Sequence, residues 1–253
     1  MHFVGIDIGS TAAKVAVIGD SELFFVLPTG WNSKETSETI KEKLLENNID
    51  VTSDSTKVIA TGYGRISVNY ADKVITEITC HGRGGRELFN ENCTIIDVGG
   101  QDTKIITLSG GMVSDFLMND KCSAGTGKFI EVMANRLGVT IDELFDLASS
   151  GNAISISSLC TVFAESEIIS YIGEGRPRED IAAGIVDSVA TKVCSLLNKH
   201  GASDHIVLTG GLSNTPFFVK VLGDKLNSQV YADPKGKYAG ALGAALISKD
   251  KFQ

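Results

Sequence analysis

The chain has 253 residues, 43% of them hydrophobic and 21% charged, enough for one large globular domain or two of ordinary size. Its formal charge of −8 and low aromatic content exclude the basic surface that nucleic acid selects for, so no nucleic-acid partner is expected. No apolar stretch approaches the ~20 residues of a membrane-spanning helix, and no basic leader precedes the first strand-like run, so the expected location is cytoplasmic with no membrane partner.

The N-terminal segment FVGIDIGSTAAKVAVI runs an apolar strand, Phe3 to Ile8, into Asp7-Ile8-Gly9-Ser10-Thr11 and out again from Lys14. The glycine permits a tight turn, and an aspartate at a strand end beside it suits a hydrated magnesium ion with a nucleotide's phosphates. Residues 34–47 then read as an exposed amphipathic helix carrying Ile40, Leu44 and Leu45. Val58–Ala60 enters a glycine-rich loop that ends at Arg65, and Cys80 with His81 in ITCHGRGG reads as structural.

The first motif then returns. In TIIDVGGQDTKIITL, Asp97, Gly99 and Lys104 stand 90 positions after Asp7, Gly9 and Lys14. Repetition at that distance predicts two similar domains, each with a phosphate-binding turn. After it, Cys122 in NDKCSAGTGKF and Cys160 in SSLCTVFAESEII each precede a run with helical spacing. A thiol at a helix N-terminus meets free N–H groups and partial positive charge, which favour a metal-binding thiolate. Two thiolates are half the set an iron–sulfur cluster needs, and a symmetric dimer would supply the rest. Two buried cysteines that only pack remain the alternative from the local sequence. Cys93 and Cys194 read as small buried residues. Five widely spaced cysteines without a CxxC pair argue against a disulfide framework or a zinc ribbon.

Towards the C-terminus, residues 180–198 show a regular apolar face. A strand at His205–Leu208 enters Thr209-Gly210-Gly211-Leu212-Ser213-Asn214, where paired glycines let a ligand approach the backbone. Tyr238–Leu246 is a helix of small residues suited to close packing.

In this order the elements resemble the actin, Hsp70 and sugar-kinase superfamily. The runs ATGYGR (60–65), IDVGGQD (96–102), MNDKCSAGTGKF (118–129), CTVFAESE (160–167) and GALGAAL (240–246) resemble, more narrowly, the activators of 2-hydroxyacyl-CoA dehydratases. Related activators serve benzoyl-CoA reductases and double-cubane-cluster proteins. The resemblance implies an α/β fold of two ribonuclease-H-like, actin-like ATPase domains facing a nucleotide cleft. The first would span 1–90 plus 237–253, and the second, 91–236, would carry the cluster cysteines. It implies a homodimer with one [4Fe–4S] cluster held by Cys122 and Cys160 of both copies. ATP hydrolysis would drive low-potential electrons from a ferredoxin- or flavodoxin-type donor into a partner iron–sulfur dehydratase or reductase.

On that resemblance, Asp7 and Asp97 hold hydrated Mg²⁺, and Ser10, Thr11, Ala12, Ala13 and Lys14 wrap the phosphates of ATP or ADP. Gly99 and Gly100 allow close approach from the second turn. Gln101, in preference to Asp102, orients the attacking water. Gly210, Gly211 and Asn214 line the adenosine. The loops are expected to be shorter than in the hydroxyacyl-CoA activators. A small-molecule kinase of the same superfamily would need a substrate pocket for which the chain leaves little room. An actin-like scaffold would have no use for the two cysteines.

Overall fold

The computed structural model describes residues 1–157 and 160–253, and they form an α/β protein of two compact units. The first unit comprises Met1–Ile95, Ile106–Phe116 and Asp233–Gln253, and the second comprises Ile96–Ile105 and Leu117–Ala232. Ile106–Phe116, which the sequence reading placed within 91–236, thus groups with the first unit.

The chain begins with β1 (His2–Ile8), β2 (Ala12–Gly19) and β3 (Leu23–Pro28), then α1 (Ser33–Glu46), β4 (Thr56–Thr61), β5 (Lys73–Val74) and α2 (Glu77–Leu88). The first sheet has the order β3-β2-β1-β4-β5. Strand β1 pairs antiparallel with β2, with Asp7 opposite Lys14, and parallel with β4, with Asp7 opposite Thr61. Covered on both faces, β1 reads as a near-continuous apolar run rather than an alternating one. Helix α1 starts where the Asn32 side chain accepts from the Glu35 N–H at 2.8 Å, and it buries Ile40 and Leu44 against the sheet's apolar cluster.

There follow β6 (Cys93–Val98), β7 (Thr103–Ser109), β8 (Met112–Asn119), α3 (Gly127–Leu137), α4 (Ile141–Ser150), α5 (Thr161–Gly173) and α6 (Arg178–His200). Strand β9 (Ile206–Gly210), α7 (Pro216–Leu226), β10 (Val230–Ala232) and α8 (Ala239–Phe252) complete the chain. The second sheet has the order β10-β9-β6-β7-β8. The core of the second unit joins Ile96, Val98 and Ile105 to Phe129, Val189 and Phe218 from helices. Thr140 and Glu143 form a reciprocal capping box that starts α4, and Gly138, at φ 64°, ends α3.

Helices α2, α4 and α7 were not foreseen. In α2 the run HGRGG looks like a loop, because three glycines in five residues cost helix propensity. The glycines are explained by α8. A Cβ on Gly84 would lie 2.0 Å from the Ala239 carbonyl oxygen, and one on Gly243 of α8 would lie 1.8 Å from that of Cys80. The two helices pack backbone to backbone, and only glycine fits at these points.

Candidate functional site

Each unit holds one copy of the repeated turn, and the copies share a geometry. The Gly9 N–H donates to the Ala12 carbonyl at 3.2 Å, and the Gly99 N–H donates to the Asp102 carbonyl at 2.9 Å. The same two residues, 90 positions on, close the same tight turn.

In the first unit, Asp7 is buried at the end of β1. Two glycines bracket its carboxylate: a Cβ on Gly62 would sit 2.3 Å from Oδ1, and one on Gly240 would sit 2.7 Å from Oδ2. This accounts for the glycine loop after β4, and it keeps side-chain carbon away from both oxygens. Ser10 and Lys14 are half-buried and Thr11 is exposed, whereas Ala12 and Ala13 lie on β2, with Ala13 wholly inside the apolar cluster. Among the described residues Lys14 forms no ion pair. Thr29, which the sequence reading passed over, anchors the turn: its hydroxyl donates to Gly9 O at 2.7 Å and its N–H to Thr11 O at 3.0 Å.

In the second unit, Asp97 and Lys104 are both buried, Gly99, Gly100 and Asp102 are partly exposed, and Gln101 is exposed. Lys104 Nζ lies 2.8 Å from Asp102 Oδ1 and 3.5 Å from Asp97 Oδ2. Beyond β9, Gly210 has φ 87°, and a Cβ there would strike Val98 O at 2.3 Å. At Gly211 a Cβ would meet nothing within 4 Å, and Asn214 is exposed.

The cysteines differ from expectation in one respect. Cys160 is the N-cap of α5, as its spacing predicts, but Cys122 lies in the loop after β8, five residues before α3 begins. Helical rhythm from Phe129 onward was extended too far back, across a glycine-containing turn at Gly125. Both cysteines are exposed, so the packing alternative falls away. Their segments are tied together, because the hydroxyls of the adjoining residues, Ser123 and Thr161, lie 2.7 Å apart. The Cys122 loop is also tied to the second turn. Gly127 N–H donates to Gly99 O at 2.9 Å, Lys128 N–H to Gly100 O at 2.8 Å, and the Thr103 hydroxyl to Gly125 O at 2.7 Å. Asn119 Nδ2 donates to Cys122 O at 2.9 Å.

The other three thiols are inert by burial, which pushes Cys80 up to about 12 and Cys93 and Cys194 up to about 11. At pH 8 a thiol with a pKa of 11 is ionised on the order of once in a thousand molecules. Iodoacetamide should therefore modify Cys122 and Cys160 in native cluster-free protein, and all five cysteines only after unfolding. Peptide mapping by mass spectrometry checks this, and rapid native labelling of Cys80 would contradict it.

Two sheets, each with a D-x-G turn at a buried strand end, define an actin-like ATPase fold. The BadF/BadG/BcrA/BcrD ATPase family matches residues 4–248, and the chain belongs to that family. It is 41% identical to the 2-hydroxyisocaproyl-CoA dehydratase activator of Clostridioides difficile, over 99% of this chain and 96% of the relative. Component A of the (R)-2-hydroxyglutaryl-CoA dehydratase of Acidaminococcus fermentans superposes with a TM-score of 0.93 at 38% identity, covering 100% of this chain and 99% of that one. The Clostridium difficile activator with bound ADPNP gives a TM-score of 0.92 at 38% identity, covering 100% and 96%. No helix among the described residues is long and apolar enough to cross a membrane.

Proposed function

We propose that the protein is an ATP-hydrolysing activator that delivers low-potential electrons to a partner iron–sulfur enzyme of the 2-hydroxyacyl-CoA dehydratase type. It would work as a homodimer in which Cys122 and Cys160 of both copies hold one [4Fe–4S] cluster. The observation that carries this reading is the hydrogen-bonded link from the second turn to both exposed cysteines, through Gly127, Lys128 and Thr103 and then Ser123 and Thr161. The relatives named as dehydratase activators support the partner class, and the ADPNP-bound structure supports the nucleotide.

The donor set fits these groups. Two exposed thiols on joined segments are half of a four-thiolate set, and a second copy would complete it. A cluster there would supply the single electron passed to the partner. The exposed apolar residues of α5, with Val162 65% and Phe163 67% accessible just beyond Cys160, are consistent with a face covered by another chain. The buried carboxylate of Asp7, flanked by Gly62 and Gly240 at the end of β1, suits an ion that retains its water, and Asp97 takes the corresponding role. Lys14 and the hydroxyls of Ser10 and Thr11 meet the phosphates, with Ala12 and Ala13 contributing backbone. Gly99 and Gly100 admit the nucleotide closely, Gln101 orients the attacking water, and Gly210, Gly211 and Asn214 border the adenosine. The electron donor would be of the ferredoxin or flavodoxin type.

Asp7→Asn and Asp97→Asn should each impair Mg-dependent ATP hydrolysis while leaving iron content unchanged. Gln101→Ala should bind ATP yet hydrolyse it about a hundredfold more slowly, the scale of losing one group that positions a proton or water. In wild-type dimer, ADP and a non-hydrolysable ATP analogue should give different electron spin resonance spectra or different rates of iron loss to a chelator. Spectra and chelation rates that ignore the nucleotide would defeat the coupling, and normal turnover in both aspartate variants would defeat the nucleotide site.

A further inference from the structure

The two turns carry the same lysine in the same place and use it differently. Lys14 is half-buried and has no ion-pair partner among the described residues. Lys104 is only 1% exposed, with its ammonium between the carboxylates of Asp102, at 2.8 Å, and Asp97, at 3.5 Å. The other oxygen of Asp97, Oδ1, accepts a 2.8 Å hydrogen bond from the hydroxyl of Thr209, which is wholly buried at the end of β9. Both oxygens of Asp97 are therefore engaged from within the second unit.

A buried ammonium held by two carboxylates is not available to a phosphate without leaving both uncompensated, which is costly. Magnesium is small, demands short bonds and gives up its water reluctantly. A carboxylate already held at both oxygens, and partly neutralised, competes poorly for a direct place on that ion. We infer that Lys104 and Thr209 are positioning residues that keep Asp97 from direct ligation, so that it holds the cation through water. Lys104, unlike Lys14, takes no part in phosphate binding. The same tether occupies Asp102, whose Oδ1 also sits where a Cβ on Gly99 would come within 2.5 Å. That leaves the exposed Gln101 as the side chain of this turn free to meet the attacking water. The inference rests on the magnesium–nucleotide reading above.

The test uses the full-length dimer with Mn²⁺ and ADP, counting water bound to Mn²⁺ by its magnetic relaxation, alongside ATPase kinetics with Mg²⁺. Lys104→Met removes the charge at similar length. It should release Asp97 onto the metal: one fewer bound water, Mn²⁺ affinity raised about tenfold, kcat lowered about tenfold, and KM for ATP within about twofold, as expected when a hydrogen-bonded charge partner is lost. Adding Asp97→Asn should abolish the affinity gain. Thr209→Val should shift hydration and kcat the same way, and Thr209→Ser should restore both, which a role in packing alone would not produce. Should Lys104→Met fail to fold, the Thr209 pair carries the test. A tenfold rise in KM for ATP in Lys104→Met, or unchanged metal hydration in both Lys104→Met and Thr209→Val, would overturn the inference. An Asp97→Asn variant with normal Mn²⁺ affinity and normal kcat would instead remove the magnesium reading on which it stands.

Discussion

Anaerobically purified Cys122→Ser and Cys160→Ser variants are each expected to be colourless and free of iron, whereas the wild-type protein is expected to carry about four irons per proposed dimer, the content of a cluster with four cysteine ligands. The effect should be all or nothing, because in the proposed dimer one substitution in the chain would remove two of the four ligands. No substitute is at hand: Cys80, Cys93 and Cys194 are buried, with their thiols held protonated by that burial. Cys93→Ser and Cys194→Ser should accordingly keep the full iron content. The ATPase activity of the two cluster variants is expected to persist, since neither cysteine belongs to a D-x-G turn. Full iron in either variant, measured by colorimetric assay against protein concentration, would sink the assignment of the cluster.

Gly243→Ala should destabilise the first unit by about 3 kcal/mol or more, within the range that overpacking reaches when neighbours are rigid. Two effects oppose each other here. Alanine is the better helix former by roughly 1 kcal/mol, which favours the variant. Against that, the added carbon would stand 1.8 Å from the Cys80 carbonyl oxygen and 2.8 Å from the Gly84 nitrogen, both backbone atoms that move only with their helix. The clash wins. Gly5→Ala should behave alike, because its Cβ would fall 1.9 Å from Ala241 O. Gly173, at the end of α5 with nothing within 4 Å, is the control, and Gly173→Ala should leave the melting temperature unchanged or raise it slightly. At roughly 2–4 °C per kcal/mol for a chain of this size, the first two variants should melt about 6 °C or more below wild type by circular dichroism. A wild-type melting curve for Gly243→Ala would mean that α2 and α8 lie further apart than described.

The sequence was most legible where burial on both faces forces apolar runs. Phe3–Ile8 and Val58–Ala60 lie in strands, as does His205–Leu208 apart from His205, and the spacing of 90 between Asp7 and Asp97 corresponds to two turns with the same hydrogen bond. It was least legible where a residue's meaning depends on a distant neighbour. HGRGG is helical because another backbone needs the room. Thr29 matters because β3 ends beside Gly9. Lys14 and Lys104 look identical in the motif, yet Thr209, 112 positions beyond Asp97, helps to make the second one's surroundings closed. Cys122 was misplaced by a few residues because helical periodicity does not mark where the first turn begins, a boundary set by Thr126 and the backbone of Gly99 and Gly100.

The way the chain is divided also bears on how it can be cut. It passes from one unit to the other at 95–96, 105–106, 116–117 and 232–233, and the first three of these fall inside β6, β7 and β8. A protease that nicks at the exposed Gly201 and Ala202 severs no crossing, and even a cut at one crossing leaves three peptide connections in place. Neither unit corresponds to a single gene segment that could be expressed alone. Truncation at either end would remove part of the first unit rather than free the second, so the halves have to be dissected by point substitution.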